Sequence, residues 1–129
     1  MIVDSSAIVA VLREEPEAGP LFEALLANAG HMRMSAANYL EAGIVIDQND
    51  DPALSARLDA LLAELQIEII PVSSELARIG RQAYREFGKG NHPARLNFGD
   101  CFAYALAKAS GEPLLFKGND FSQTDIIAA

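Results

Sequence analysis

One cysteine, Cys101, and two histidines, His31 and His92, are all the thiolate and imidazole ligands that the sequence offers a metal. A lone cysteine excludes an internal disulfide and fits a reducing compartment. Two isolated histidines are too small a set for a zinc site. Basic residues are scarce as well: ten Lys and Arg stand against 18 Asp and Glu, and the net charge of −8 argues against a simple cationic nucleic-acid surface. Nucleic acid stays open only if some of the acids hold metal. No apolar run approaches the roughly 18 residues that cross a bilayer. Acidic and serine residues interrupt the opening stretch "MIVDSSAIVAVLREE", and no small-residue cleavage site follows it. Neither a secretion signal nor a membrane span is expected, and a cytoplasmic location is.

Half of the 129 residues are hydrophobic, which predicts a folded core rather than disorder, and the length suits one domain over residues 1–129. Short apolar runs alternate with helical stretches. "MIVD" reads as a buried strand and "SAIVAVLREE" as a helix. After the break "EEPEAGP" comes a second helix, "LFEALLANAG", with Gly30 as its expected stop. "HMRMSA", "IEIIPV" and "PLLFK" read as further strands. "AANYLEAGIVIDQND", "PALSARLDALLAELQ", the serine-capped "SSELARIGRQAYREFGKG" and "FGDCFAYALAKASG" read as helices, with "GNDFSQTDIIAA" as an irregular tail. Alternating strands and helices predict an α/β fold with a mostly parallel sheet covered on both faces.

In that architecture helix N-termini and strand C-termini share one edge, where such proteins bind ligands. Asp4, Glu41, Asp100 and Asp120 all fall at that edge. Singly, each has an ordinary structural explanation. Asp4 can cap the first helix, Asp100 can close a capping box with Asn97, and Asp120 can order a turn. Glu41 is harder to place, since Ala37, Ile44 and Val45 at i−4, i+3 and i+4 suggest a stripe facing the core. Asp100 has Ala103, Tyr104 and Ala107 as its own helical neighbours. Lys117 can bridge to one acid but not to four. Two carboxylates about 4 Å apart repel by roughly 4 kcal/mol at an effective dielectric of 20. A shared hard cation such as Mg²⁺ or Mn²⁺ removes that cost and retains waters for a phosphate substrate.

"MIVDSSAIVAVLREEPE", "MSAANYLEAGIVI", "RLNFGDCFAYALAK" and "LLFKGNDFSQTDI" together resemble the PIN-domain ribonucleases, specifically the VapC-type toxins of toxin–antitoxin pairs. The likeness runs in order along nearly the whole chain. It implies a three-layer α/β/α fold with a sheet of four to five strands. It also implies a Mg²⁺- or Mn²⁺-dependent endoribonuclease in which Asp4, Glu41, Asp100 and Asp120 hold metal and carry the catalysis. Many relatives have an acid where this chain has Gly118, so Asn119 is a candidate to share the role of Asp120. By the same resemblance Ser6 lies beside the metal. A VapB-type antitoxin protein and a homodimer are the implied partners, with RNA as substrate.

Arg78, Arg81 and Arg85 lie at i, i+3 and i+7 of one helix, with Lys89 next and Arg95 in the loop before Asp100. Arg81, Arg85, Arg95 and Lys117 are candidate substrate contacts; a solvated helix face salted by Glu75 and Glu86 explains the arginines equally well. "DQNDDP" is not a calcium loop, because Pro52 and Leu58 occupy its glycine and bidentate-acid positions. Two alternatives remain at this point. One is a Mg²⁺-dependent receiver-like phosphoacceptor, which needs an acid after "IEIIPV". The other is a non-catalytic binding module whose acids only cap helices.

Overall fold

The computed structural model describes residues 1–129. Its elements, in chain order, are β1 (Ile2–Val3), α1 (Ser5–Leu12), α2 (Ala18–Ala27), β2 (Arg33–Ser35), α3 (Ala36–Asp47) and α4 (Pro52–Glu64). β3 (Glu68–Ile70), α5 (Ser74–Phe87), α6 (Phe98–Ser110) and β4 (Leu114–Leu115) complete the chain. The sheet has four strands in the order β3-β2-β1-β4, and every pairing is parallel.

The period of two along the strands sorts the core into two halves. Ile2 and Leu114 face one side, where they meet α6 and Ala83 of α5; Val3, Met34 and Leu115 face the other, with α1, α2, α4 and the inner residues of α3. The register Ile2↔Leu114 and Val3↔Leu115 keeps the two faces aligned across β1 and β4. The result is a three-layer α/β/α arrangement.

Local chemistry sets the helix starts. Asp4, Ser35, Asp51 and Ser73 each turn a side-chain oxygen onto a backbone N–H of the helix that follows, and Pro52 opens α4. Gly111 closes α6 in the left-handed region at φ 68°. Two expectations shift. α2 ends at Ala27 with Asn28 as its cap, so Gly30 lies in the next turn, at φ 80°, rather than stopping the helix. Ile44 is 50% exposed, so the stripe containing Glu41 does not face the core. Glu41 instead looks sideways from α3 onto the first turn of α6. No helix is long and apolar enough to cross a membrane.

From β1 the chain steps outward to β2 and β3, then returns to place β4 on the other flank of β1. The strand order therefore reverses between β1 and β4. In a parallel sheet the crevice at the carboxyl ends of such strands is the natural ligand position.

Candidate active site

Asp4, Glu41, Asp100 and Asp120 line one open cavity of about 280 Å³ above that crevice, together with Ser5, Ser6, Asn97 and Lys117. Residues 116 positions apart in the chain are thus brought to one place, with Asp4 at the end of β1 and Asp120 beyond β4. The Asp4 backbone N–H donates to Leu115 O at 2.9 Å, which ties the two strand ends together.

Each buried aspartate serves as a cap with one oxygen. Oδ2 of Asp4 accepts the Ser6 N–H at 3.0 Å, while its Oδ1 is buried with no hydrogen-bond partner. Asp100 Oδ2 accepts the Asn97 N–H at 3.0 Å, and Asn97 Oδ1 accepts the Asp100 N–H at 2.9 Å, a complete capping box. Capping therefore occupies one oxygen of each carboxylate and leaves the other outside the cap.

Glu41 is held differently. Its Oε1 accepts from Ser5 Oγ and from Asn38 Nδ2, the latter at 3.3 Å. Asn38 is fully buried and donates also to Gly99 O at 3.0 Å, bridging α3 to α6. Glu41's carboxylate lies against Gly99 so closely that a Cβ there would stand 2.8 Å from Cδ. Ser5, Asn38 and Gly99 were not singled out from sequence. Asn38, one turn before Glu41 on the same helix, carried the only legible signal, since a polar side chain at i−3 can hold a carboxylate.

The electrostatics are those of uncompensated negative charge. Burial, opposed by hydrogen bonding from Ser6 and reinforced by the Glu41 charge, pushes the Asp4 carboxyl up to about 6. Burial, with the Asp4 and Asp120 charges, pushes Asp100 up to about 7. The nearest cation does not answer them. Lys117 Nζ donates to Glu15 at 2.6 Å and lies 3.7 Å from Glu17, holding the α1–α2 turn. No ion pair in the structure involves any of the four cavity acids.

Other candidates fall nearby or apart. Ser6 lines the cavity, where its N–H donates to Asp4 Oδ2 and its Oγ accepts the Lys117 N–H at 3.0 Å; the Ser5 hydroxyl reaches Glu41. Asn119 is not among the lining residues, whereas Asp120 is. Arg81 and Arg85 line a separate groove between α5 and α6, and Arg95 borders neither space. β3, an edge strand, ends at Ile70 with Pro71 next, so it does not supply the acid that the phosphoacceptor reading expects there.

No group of three Asp, Glu, His or Cys side chains already stands in metal-ligating geometry. The donor set nevertheless fits a hard cation: all are carboxylates, one buried oxygen is unpartnered, and no lysine or arginine neutralises them. Asp4 and Asp100 would hold such an ion between them, with Asp120 at the open side.

The family model "PIN domain" matches residues 1–127. Ribonuclease VapC28 of Mycobacterium tuberculosis is 54% identical over 127 residues, 98% of this chain and 95% of that protein. Ribonuclease VapC30 of the same species is 48% identical over 127 residues, again 98% and 95% of the two chains. Among solved structures, M. tuberculosis VapC20, a Sarcin-Ricin loop cleaving toxin, superposes with a TM-score of 0.79 at 14% identity, covering 99% of this chain and 97% of that one. VapBC2 from Rickettsia felis, bound to a DNA fragment from its promoter, gives 0.78 at 15% identity, with 99% and 96% covered. At such identities the structural matches speak for the fold.

Proposed function

The chain belongs to the PIN-domain family, among its VapC-type ribonucleases, and from that premise we propose that it is a Mg²⁺- or Mn²⁺-dependent endoribonuclease, the toxin of a toxin–antitoxin pair. The observation that carries the metal-dependent reading is the buried, unpartnered Oδ1 of Asp4 in a cavity lined by three further acids. Burying a carboxylate oxygen without a partner costs roughly 1–3 kcal/mol in folding, more when it is charged, and a bound cation would offset that cost.

Asp4 and Asp100 would hold the divalent ion, and Asp120 would support the substrate side. When bound, the ion supplies Lewis-acid activation of water and neutralises charge on the scissile phosphate. Glu41 orients the attacking water and takes its proton at Oε2, because Oε1 is already occupied by Ser5 and Asn38. No side chain need act as nucleophile. Ser6, Arg81, Arg85, Arg95 and Lys117 are assigned to substrate contacts.

Two proteins of the same fold, VapBC2 of R. felis bound to promoter DNA and a toxin–antitoxin complex from Klebsiella pneumoniae, extend the reading to partners. For this chain we assign a small VapB-type antitoxin that sets a guanidinium fork among the carboxylates and competes with the cation. A homodimer is the second assembly. Leu40 and Ile44, four apart on α3 and 60% and 50% exposed, offer a second copy one apolar face, and Phe22 and Leu26, four apart on α2 and 38% and 53% exposed, offer another.

The test is purified wild type against Asp100→Asn on total cellular RNA, with and without Mg²⁺ and with the cut ends mapped. Metal-dependent cleavage by wild type and none by the variant is expected. Equal cleavage by both would reject the assignment.

A further inference from the structure

Beside the acidic cavity lies a larger groove of about 890 Å³ between α5 and α6, within the size of ligand pockets. Its floor forms where Gly80 of α5 lets the helices approach; a Cβ there would stand 3.2 Å from Cys101 O. The two walls differ in chemistry. α5 and the turn after it contribute Arg81, Arg85 and Lys89, three of only ten basic residues in the chain, and no acid lines the groove. α6 contributes Phe98 and Phe102, packed edge to face with ring centroids 4.9 Å apart. Phe98 is 79% exposed, a high value for the most apolar of ring side chains. Asn97, which caps α6 over Asp100, borders both the groove and the acidic cavity.

A cationic wall facing an aromatic wall suits a polymer with phosphates on one side and flat bases on the other. An apolar protein segment would leave the three cations unpaired. We propose that this groove binds single-stranded RNA, its bases stacked on Phe98 and Phe102 and its phosphates along Arg81, Arg85 and Lys89. The strand then passes Asn97 into the acidic cavity. This rests on the endoribonuclease reading and adds to it a requirement for unpaired bases, because a duplex keeps its base faces stacked and unavailable.

The probe is a short single-stranded RNA carrying one 2-aminopurine, bound in EDTA so that no cleavage intervenes. Wild type is expected to quench the 2-aminopurine and to bind the strand better than the same sequence as a duplex. Phe98→Ala, at so exposed a site, retains the fold; it is expected to lose the quench and at least about fivefold in affinity. Phe98→Tyr is expected to keep both. Quenching and affinity unchanged in Phe98→Ala would overturn the proposal. So would a switch from dimer to monomer in that variant with RNA binding intact, which would make the groove an interface between copies. Wild-type cleavage with Mg²⁺ beside an unaffected Phe98→Ala rejects the groove alone. Quenching by wild type without any cleavage upholds the groove and rejects the nuclease reading.

Discussion

Gly99→Ala is the substitution for which local and tertiary reasoning point in opposite directions. Gly99 is in the first turn of α6 and its φ is not in the left-handed region, so nothing in its backbone demands glycine. Helix propensity alone predicts that alanine stabilises by up to about 1 kcal/mol. The added Cβ, however, would fall into the Glu41 carboxylate, 2.8 Å from Cδ and 3.0 Å from Oε1. Glu41 has to swing away, giving up the bonds from Ser5 Oγ and Asn38 Nδ2. Hydrogen bonds to a charged group are worth roughly 1.5 kcal/mol or more each, so losing two outweighs the helix gain and leaves a net destabilisation of about 2 kcal/mol. Urea unfolding reads that directly. Cleavage should fall about a hundredfold, the usual scale for a catalytic group misplaced by an ångström. In a Glu41→Ala background the obstacle is gone, so adding Gly99→Ala should be neutral or slightly stabilising, a coupling of about 2–3 kcal/mol. A Gly99→Ala protein as stable and as active as wild type would refute the reasoning.

Three further outcomes follow from the same geometry. Asp4 rises from 3.8 to about 6 and Asp100 to about 7, so between pH 4 and pH 7 the folded state binds more protons than the unfolded one. Their contribution to stability is therefore lost as pH rises through that window, by roughly 3 kcal/mol for Asp4. Asp4→Asn should flatten the decline in metal-free urea titrations, and Mn²⁺ should raise Tm more at pH 7.5 than at pH 5.5; an unaltered pH slope in the variant contradicts the assignment. Reversing charge at Arg81 and Arg85 should weaken RNA binding and make its log–log salt slope shallower by about 1.4, and an unchanged slope means a merely solvated helix face. Asp125 accepts from Tyr104 Oη at 2.6 Å and Lys108 Nζ at 2.5 Å, pinning the tail that carries Asp120. Because Lys108 and Asp125 are half exposed, most of the effect lies with Tyr104, and Asp125→Ala should cost about 1–2 kcal/mol and open the tail to proteolysis. An uncut tail at wild-type stability would show that Phe121, Ile126 and the backbone bonds of Ile127 and Ala129 to Leu114 anchor it without Asp125.

The fold was legible because its signals are local. Strand and helix periods, the caps at Asp4, Ser35, Ser73 and Asn97, and the glycine at Gly111 each act within a few residues. The gathering of Asp4, Glu41, Asp100 and Asp120 at one edge was legible too, since strand and helix polarity in a parallel sheet dictates it. The orientation of Glu41 was not. Its apolar neighbours suggested a core-facing stripe, yet Ile44 is exposed and the carboxylate meets α6. Helical spacing reports which residues share a face but not which element that face meets.

Sequence by itself determined the alternation of elements, the edge at which the acids collect and the excess of negative charge. Tertiary structure alone decided that the Ser5 hydroxyl supports Glu41, and that Lys117 pairs with Glu15. It alone left one Asp4 oxygen buried and unpartnered, and opened an aromatic and cationic groove beside the cavity. Hydrogen-bond partners and desolvation depend on distances of a few ångströms between segments far apart in the chain, and residue spacing carries no record of those distances.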